Sequence, residues 1–217
     1  MTNRTLTLTD DLVEYVRRHG VREHPVLAEL RADTAVMPNA RMQIAPEQGA
    51  FMALLVQLTG ARDILEIGTF TGYSSTAMAL ALPDGGRLTC LDVSREWTDR
   101  ARQAWTDAGV ADRVDLRIGP AVESLAELAD DSFDLAFIDA DKPGYDAYYT
   151  GCLRVVRPGG LILIENVLQS GRVADAVADD ENVRAIRALN DRIAADERID
   201  FVLLPLADGL TMARIRE

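Results

Sequence analysis

The stretch Leu65-Glu66-Ile67-Gly68-Thr69-Phe70-Thr71-Gly72-Tyr73-Ser74 decides the fold. It joins a short apolar run, Ile64 to Ile67, to a helical pattern near 72–82, with two glycines at the junction. Glycine lets the backbone turn sharply and approach a ligand with no Cβ in the way. In open α/β sheets such a loop, at the carboxyl end of a parallel strand, is where ligands bind.

Further residues narrow the ligand. Gly68 and Gly72 are separated by three residues, so the dinucleotide fingerprint G-x-G-x-x-G is absent and a nicotinamide or flavin reading is weakened. Asp92 ends the next apolar run, where a carboxylate can accept hydrogen bonds from both hydroxyls of an adenosine ribose. Glu66 ends a strand that should be buried, and carboxylates are rarely buried without a partner. It reads either as a solvated strand end or as a group facing the cationic amino-acid end of a cofactor. Loop and acids together move the ligand from a dinucleotide toward S-adenosylmethionine.

Outward from the loop, apolar runs at Ile64–Ile67, Leu88–Leu91, Val114–Ile118, Leu135–Ile138 and Leu161–Ile164 alternate with helical stretches near 72–82, 94–108, 120–129 and 143–156. That alternation predicts a parallel sheet covered on both faces. Pro158-Gly159-Gly160 reads as a turn before the fifth strand. A helix near 180–196 leads to Phe201–Leu204, and Asp208-Gly209 before Leu210–Ile215 signals a hairpin, hence an antiparallel strand at the end. Upstream, Leu12 and Val16 share a helical face behind the capping acids Asp10 and Asp11, and Pro25 sits at a helix start. A third helix opens at Pro46 and closes at Gly60, with Phe51, Leu54, Leu55 and Leu58 on one face. No repeat or linker interrupts the chain, so one domain is expected over 1–217, with N-terminal helices over 1–60 and an α/β core over 61–217.

The chain has 217 residues, a net charge of −12 and a composition 48% hydrophobic and 27% charged. The acidic balance repels phosphate backbones and favours a small-molecule substrate over nucleic acid. No apolar run reaches membrane-span length, and the polar opening Met1 to Asp11 lacks a signal-peptide core. Cys90 and Cys152 sit in apolar stretches and read as buried free thiols, in keeping with a reducing cytoplasm.

A second constellation closes the fourth and fifth strands: Phe137-Ile138-Asp139-Ala140-Asp141-Lys142 and Leu163-Ile164-Glu165-Asn166. If those strands are neighbours, three oxygen-bearing side chains meet at one rim, roughly 5 Å from strand to strand. Hard oxygen donors suit magnesium, manganese or calcium rather than zinc. Spacing alone leaves open a second reading, acids as solvated strand ends.

The order EIGTFTGYSS, FIDADK, ENVLQSGRV, with MQIAPEQG upstream and LADGLTMAR at the end, resembles the metal-dependent caffeoyl-CoA and catechol O-methyltransferases, especially small bacterial members, from about Tyr15 to the C-terminus. The resemblance implies a class I methyltransferase, a Rossmann-like sandwich whose seven-stranded, mostly parallel sheet has a reversed C-terminal strand and extra N-terminal helices. It implies S-adenosylmethionine and a divalent cation, with Mg2+ foremost and Mn2+ or Ca2+ as alternatives. Carried over by motif position, Asp139, Glu165 and Asn166 are the metal ligands and Lys142 the general base. Glu66, Gly68, Ser74, Asp92, Gly119, Pro120, Ala121 and Asp139 hold the cofactor, with Met42 and Ile44 covering it. The implied partners are a hydroxylated small molecule and a second copy of the chain, the N-terminal helices supplying the dimer interface or packing over the site. Two departures stand out: the family usually has aspartate at Glu165 and often tryptophan at Gln169. Both bear on the substrate more than on the reaction.

Other residues keep more than one reading. Asp141 is a cap for the helix entering at Lys142 or a neighbour of the metal ligands. Tyr145, Tyr148 and Tyr149 read as core and surface aromatics, and His19 and His24 as structural or exposed. Arg172 with Asp175 to Glu181 reads as a lid or a solvated loop.

Overall fold

The computed structural model describes residues 6–217; the first five residues of the polar opening lie outside this range. Three helices come first: α1 (Asp10–Gly20), α2 (Pro25–Ala35) and α3 (Pro46–Thr59). The cap of α1 is Thr9, whose hydroxyl accepts from the Leu12 amide, while Asp10 and Asp11 occupy the first turn and face its positive end. His24 caps α2 through its ring, ahead of Pro25. Gly60 ends α3 in the left-handed conformation.

The α/β succession follows: β1 (Asp63–Ile67), α4 (Tyr73–Ala81), β2 (Arg87–Asp92), α5 (Arg95–Asp107), β3 (Val114–Ile118), α6 (Ala121–Glu127), β4 (Phe133–Ile138), α7 (Tyr145–Val155), β5 (Val156–Ile164), α8 (Glu181–Ala194), β6 (Ile199–Leu204) and β7 (Leu210–Ile215). The sheet has seven strands in the order β3-β2-β1-β4-β5-β7-β6. The first five are parallel, and β7 runs antiparallel to both β5 and β6. This is the seven-stranded, mostly parallel sheet that the resemblance implies, with the expected reversed C-terminal strand.

Strand residues alternate between two cores, as the two-residue period requires. Leu65, Ile67, Ala136 and Ile138 pack with α7 and α8, whereas Ile64, Leu135 and Phe137 pack with α3 and α4. Both cysteines are buried and free. Among the described residues no helix is long and apolar enough to cross a membrane.

Two local expectations are corrected. Pro158-Gly159-Gly160 is not a turn before β5 but a bulge inside it: Phe133 pairs with Val156, yet Leu135 pairs with Leu161. Gly159 takes φ +79° there, and the Asp134 carboxylate beside it accepts from Arg157, Arg62 N and Asp63 N. On α3 the face against the sheet is Gln48, Met52 and Val56, while Leu54 and Leu58 stand 52% and 73% exposed.

The order reverses beside β1: the chain builds outward through β2 and β3, then crosses to β4 on the other side. The carboxyl ends of β1 and β4 flank the crevice this leaves.

Candidate active site

A cavity of about 1480 Å³ opens at that crevice. Of the residues expected to hold a cofactor, Met42, Ile44, Gly68, Ser74, Asp92, Gly119, Pro120, Ala121 and Asp139 all line it. Lys142, Glu165 and Asn166 line it too, so both constellations share one chamber.

The loop after β1 is held by close backbone contacts. Gly68 has φ +90°, and a Cβ there would lie 1.9 Å from the Asp139 carbonyl oxygen, which no side chain tolerates. Asp139 N donates in turn to Ile67 O at 2.8 Å. Asp92 Oδ2 accepts from the Thr69 and Phe70 amides, both at 2.9 Å, and Oδ1 from Ser94 N at 2.7 Å. Asp92 thus shapes the loop as well as facing the cavity.

Glu66 is the exception. It is 0% exposed and lies behind the loop rather than on the cavity wall, accepting from Ser74 Oγ at 2.5 Å and Cys90 Sγ at 3.4 Å. Its burial pushes the carboxyl up to about 7, against the lowering effect of those bonds. Ser74, which does line the cavity, is its route to any ligand.

At the ends of β4 and β5, Ile138 pairs with Ile164, which brings Asp139 beside Glu165 and Asn166. Lys142 Nζ lies among them, 3.2 Å from Asp139 Oδ1, 2.6 Å from Asn166 Oδ1 and 2.6 Å from the Tyr145 hydroxyl. Glu165 is 2% exposed; burial first, then the Asp139 charge, push its carboxyl up to about 8. Burial also raises Asp139, partly countered by Lys142. Among the described residues no three His, Cys, Asp or Glu side chains converge, so the donor set here is two carboxylates and an amide. Asp139 Oδ1 and Asn166 Oδ1 already aim at one cationic centre, and all three donors are hard oxygens, so the set fits a divalent cation of the magnesium type.

Sequence reasoning missed several participants. Gln48, in the quoted MQIAPEQG, was given no role, yet its Nε2 donates to Glu165 Oε2 at 2.6 Å. Tyr145 is buried as expected, but its hydroxyl also donates to the Glu165 carbonyl at 3.2 Å. Asp208 signalled only a turn; it accepts from Ser170 N and sits 3.5 Å from Asn166 Nδ2. Tyr73 donates to Glu23 at 2.6 Å, and Glu23 also receives Arg31, while Thr34 donates to Thr71 at 3.0 Å. These bonds fasten α2 to the cofactor loop. Asp141 proves to be a cap: it accepts from Gly144 N and from the Tyr148 hydroxyl. Arg172 lines the cavity and pairs with Asp180, and Arg187 on α8 donates to the carbonyls of Arg172, Val173, Asp175 and Ala178, so this loop is tied from behind. Among the described residues His19 and His24 make only local bonds.

The family model described as O-methyltransferase matches residues 17–216. The chain belongs to the O-methyltransferase family. A probable caffeoyl-CoA O-methyltransferase of Dictyostelium discoideum is 50% identical over 171 residues, covering 76% of this chain and 74% of the relative. Catechol O-methyltransferase domain-containing protein 1 of Mus musculus is 40% identical over 206 residues, covering 93% of this chain and 79% of that protein. Among solved structures, the O-methyltransferase TomG of Streptomyces achromogenes, in complex with SAM, superposes with a TM-score of 0.86 at 31% identity, covering 95% of this chain and 96% of that one. The expected family and enzyme class are therefore correct, and the chain is a methyltransferase enzyme of this family.

Proposed function

We propose that this O-methyltransferase moves the methyl group of S-adenosylmethionine to one hydroxyl of a catechol-like or vicinal-diol small molecule, with a divalent cation bound at Asp139, Glu165 and Asn166. The observation that carries this is the meeting of Asp139, Lys142 and Asn166 within 3.2 Å, in the same cavity as the Gly68 loop. A bound divalent cation orients two vicinal oxygens and lowers the pKa of the attacking hydroxyl. Lys142, acting as the neutral amine, takes that hydroxyl's proton, and Tyr145 and Asn166 hold its nitrogen at the reacting oxygen. An O–CH3 bond forms as the S–CH3 bond breaks, and the sulfonium leaves as a neutral thioether. The loop from Gly68 to Ser74 holds the donor, with Asp92 toward the ribose and Met42 and Ile44 over it, so positioning supplies much of the rate.

The reading is of one methyltransferase domain over 1–217, with N-terminal helices in 1–60 and the catalytic α/β core in 61–217. The exposed Leu54 and Leu58 face of α3 supports a homodimer, and the two buried free thiols support a cytoplasmic setting. Neither nucleic acid nor membrane is a partner in it. The test is a screen of catechols and diols with labelled S-adenosylmethionine, with and without EDTA, alongside Asp139→Ala. Turnover is expected to need a diol and to stop with EDTA or in the variant. Turnover indifferent to both would replace this reading with a metal-independent methyltransferase.

A further inference from the structure

Gln48, in the first turn of α3, is 0% exposed. Its two amide ends differ in what they meet. Nε2 reaches Glu165 Oε2 at 2.6 Å across 117 residues of sequence, whereas Oε1 is buried with no hydrogen-bond partner among the described residues. A carboxylate ionised on a bound cation only accepts hydrogen bonds, so the nitrogen-toward-Glu165 setting of the amide is the one that suits a loaded site. Leaving the other end unpaired in the interior costs stability, so packing alone favours an apolar residue of this size. What the amide supplies is the bond to Glu165.

That bond makes the two Glu165 oxygens unequal. Oε2 is turned back toward α3, while Oε1 faces Asn166 Nδ2 at 3.4 Å. The extra methylene of glutamate is what spans to α3 while the other oxygen stays at the strand ends. A neutral donor suits the place: a cationic side chain would compete with a bound cation, and a carboxylate would repel Glu165.

We propose that Gln48 is a positioning residue that makes Glu165 a one-oxygen ligand, tying Oε2 to α3 and leaving Oε1 to join Asp139 and Asn166. The inference rests on the reading of this cluster as a cation site. The test is titration of metal-stripped protein with Mn2+ in the presence of S-adenosylhomocysteine, following free Mn2+ by electron paramagnetic resonance. Mn2+ binding by the wild type supports the cation reading; its absence overturns that reading and the proposal with it. Gln48→Leu, and Gln48→Met as a longer apolar replacement, are expected to bind Mn2+ about 10–100-fold more weakly. Their metal-free melting and S-adenosylhomocysteine affinity should stay close to wild type. In a Glu165→Asp background the shorter carboxylate no longer reaches α3, and Gln48→Leu should then change Mn2+ affinity by no more than about 2-fold. Wild-type Mn2+ affinity in both Gln48 variants, or an equal loss in both backgrounds, would overturn the positioning role while leaving the cation site standing.

Discussion

Lys142 Nζ donates to Asn166 Oδ1 at 2.6 Å, joining the loop after β4 to the end of β5. With the bonds to Asp139 and Tyr145, all three ammonium protons are used, so the base role requires one of these protons to leave and the acceptor hydroxyl to take that partner's place. Lys142→Met is expected to lower kcat by roughly 10²–10⁴, the range for a lost proton acceptor. Lys142→Arg should lose about as much, because guanidinium keeps the charge and does not give up its proton. Steady-state kinetics with a diol acceptor, beside calorimetric titration of S-adenosylhomocysteine, checks both. An active arginine variant would show that the residue acts by charge and not by proton transfer.

Glu66 makes stability depend on pH. Its carboxyl ionises near 4.5 when unfolded and near 7 in the buried site. Between those values the unfolded chain has released a proton that the folded one keeps, so rising pH favours unfolding. The stability present below pH 4.5 falls by roughly 3 kcal/mol and levels off above 7. Glu66→Gln removes this dependence. Urea unfolding at several pH values from 5 to 8 should show the variant gaining on the wild type across that window; parallel curves would mean that the carboxyl ionises freely in place.

Gly68 and Gly60 both have positive φ, but only Gly68 is crowded: a Cβ at Gly60 meets nothing within 4 Å. Gly60→Ala is expected to cost about 1–2 kcal/mol of left-handed strain and leave ligand binding intact. Gly68→Ala adds collision to the left-handed strain, which alone costs about 1–3 kcal/mol. Thermal melting with cofactor titration separates the two. Normal cofactor affinity in Gly68→Ala would mean that the loop gives way without consequence.

The exposed α3 face bears on assembly. Leu58→Glu is expected to turn a dimer into a monomer in sedimentation velocity, with the fold retained because this side chain is 73% exposed. A dimer unchanged by Leu58→Glu and Leu54→Glu together would place the interface elsewhere.

Much of this was legible from the sequence because β1, β2, β4 and the end of β5 are largely buried on both faces, which leaves mostly apolar runs between helices. The cofactor loop and the strand-end acids were legible for the same reason: each polar residue interrupts such a run. The bulge in β5 was hidden because Pro158-Gly159-Gly160 has the composition of a turn, and only its pairing with β4 distinguishes the two. On α3, Phe51, Met52, Leu54, Leu55, Val56 and Leu58 surround the helix with apolar side chains, so periodicity could not choose the buried face. Gln48 was out of reach for another reason: its partner lies on a different element, and no local pattern marks a bond of that span.

The contact of Gly68 with the Asp139 carbonyl carries a consequence for how the two subsites relate. Donor loop and strand-end acids touch through backbone, so neither shifts without the other. In the proposed reading, any coupling that this contact transmits between donor and cation must be the same factor in both directions. A methyl donor that tightens cation binding several-fold must itself be held several-fold tighter once the cation is in place.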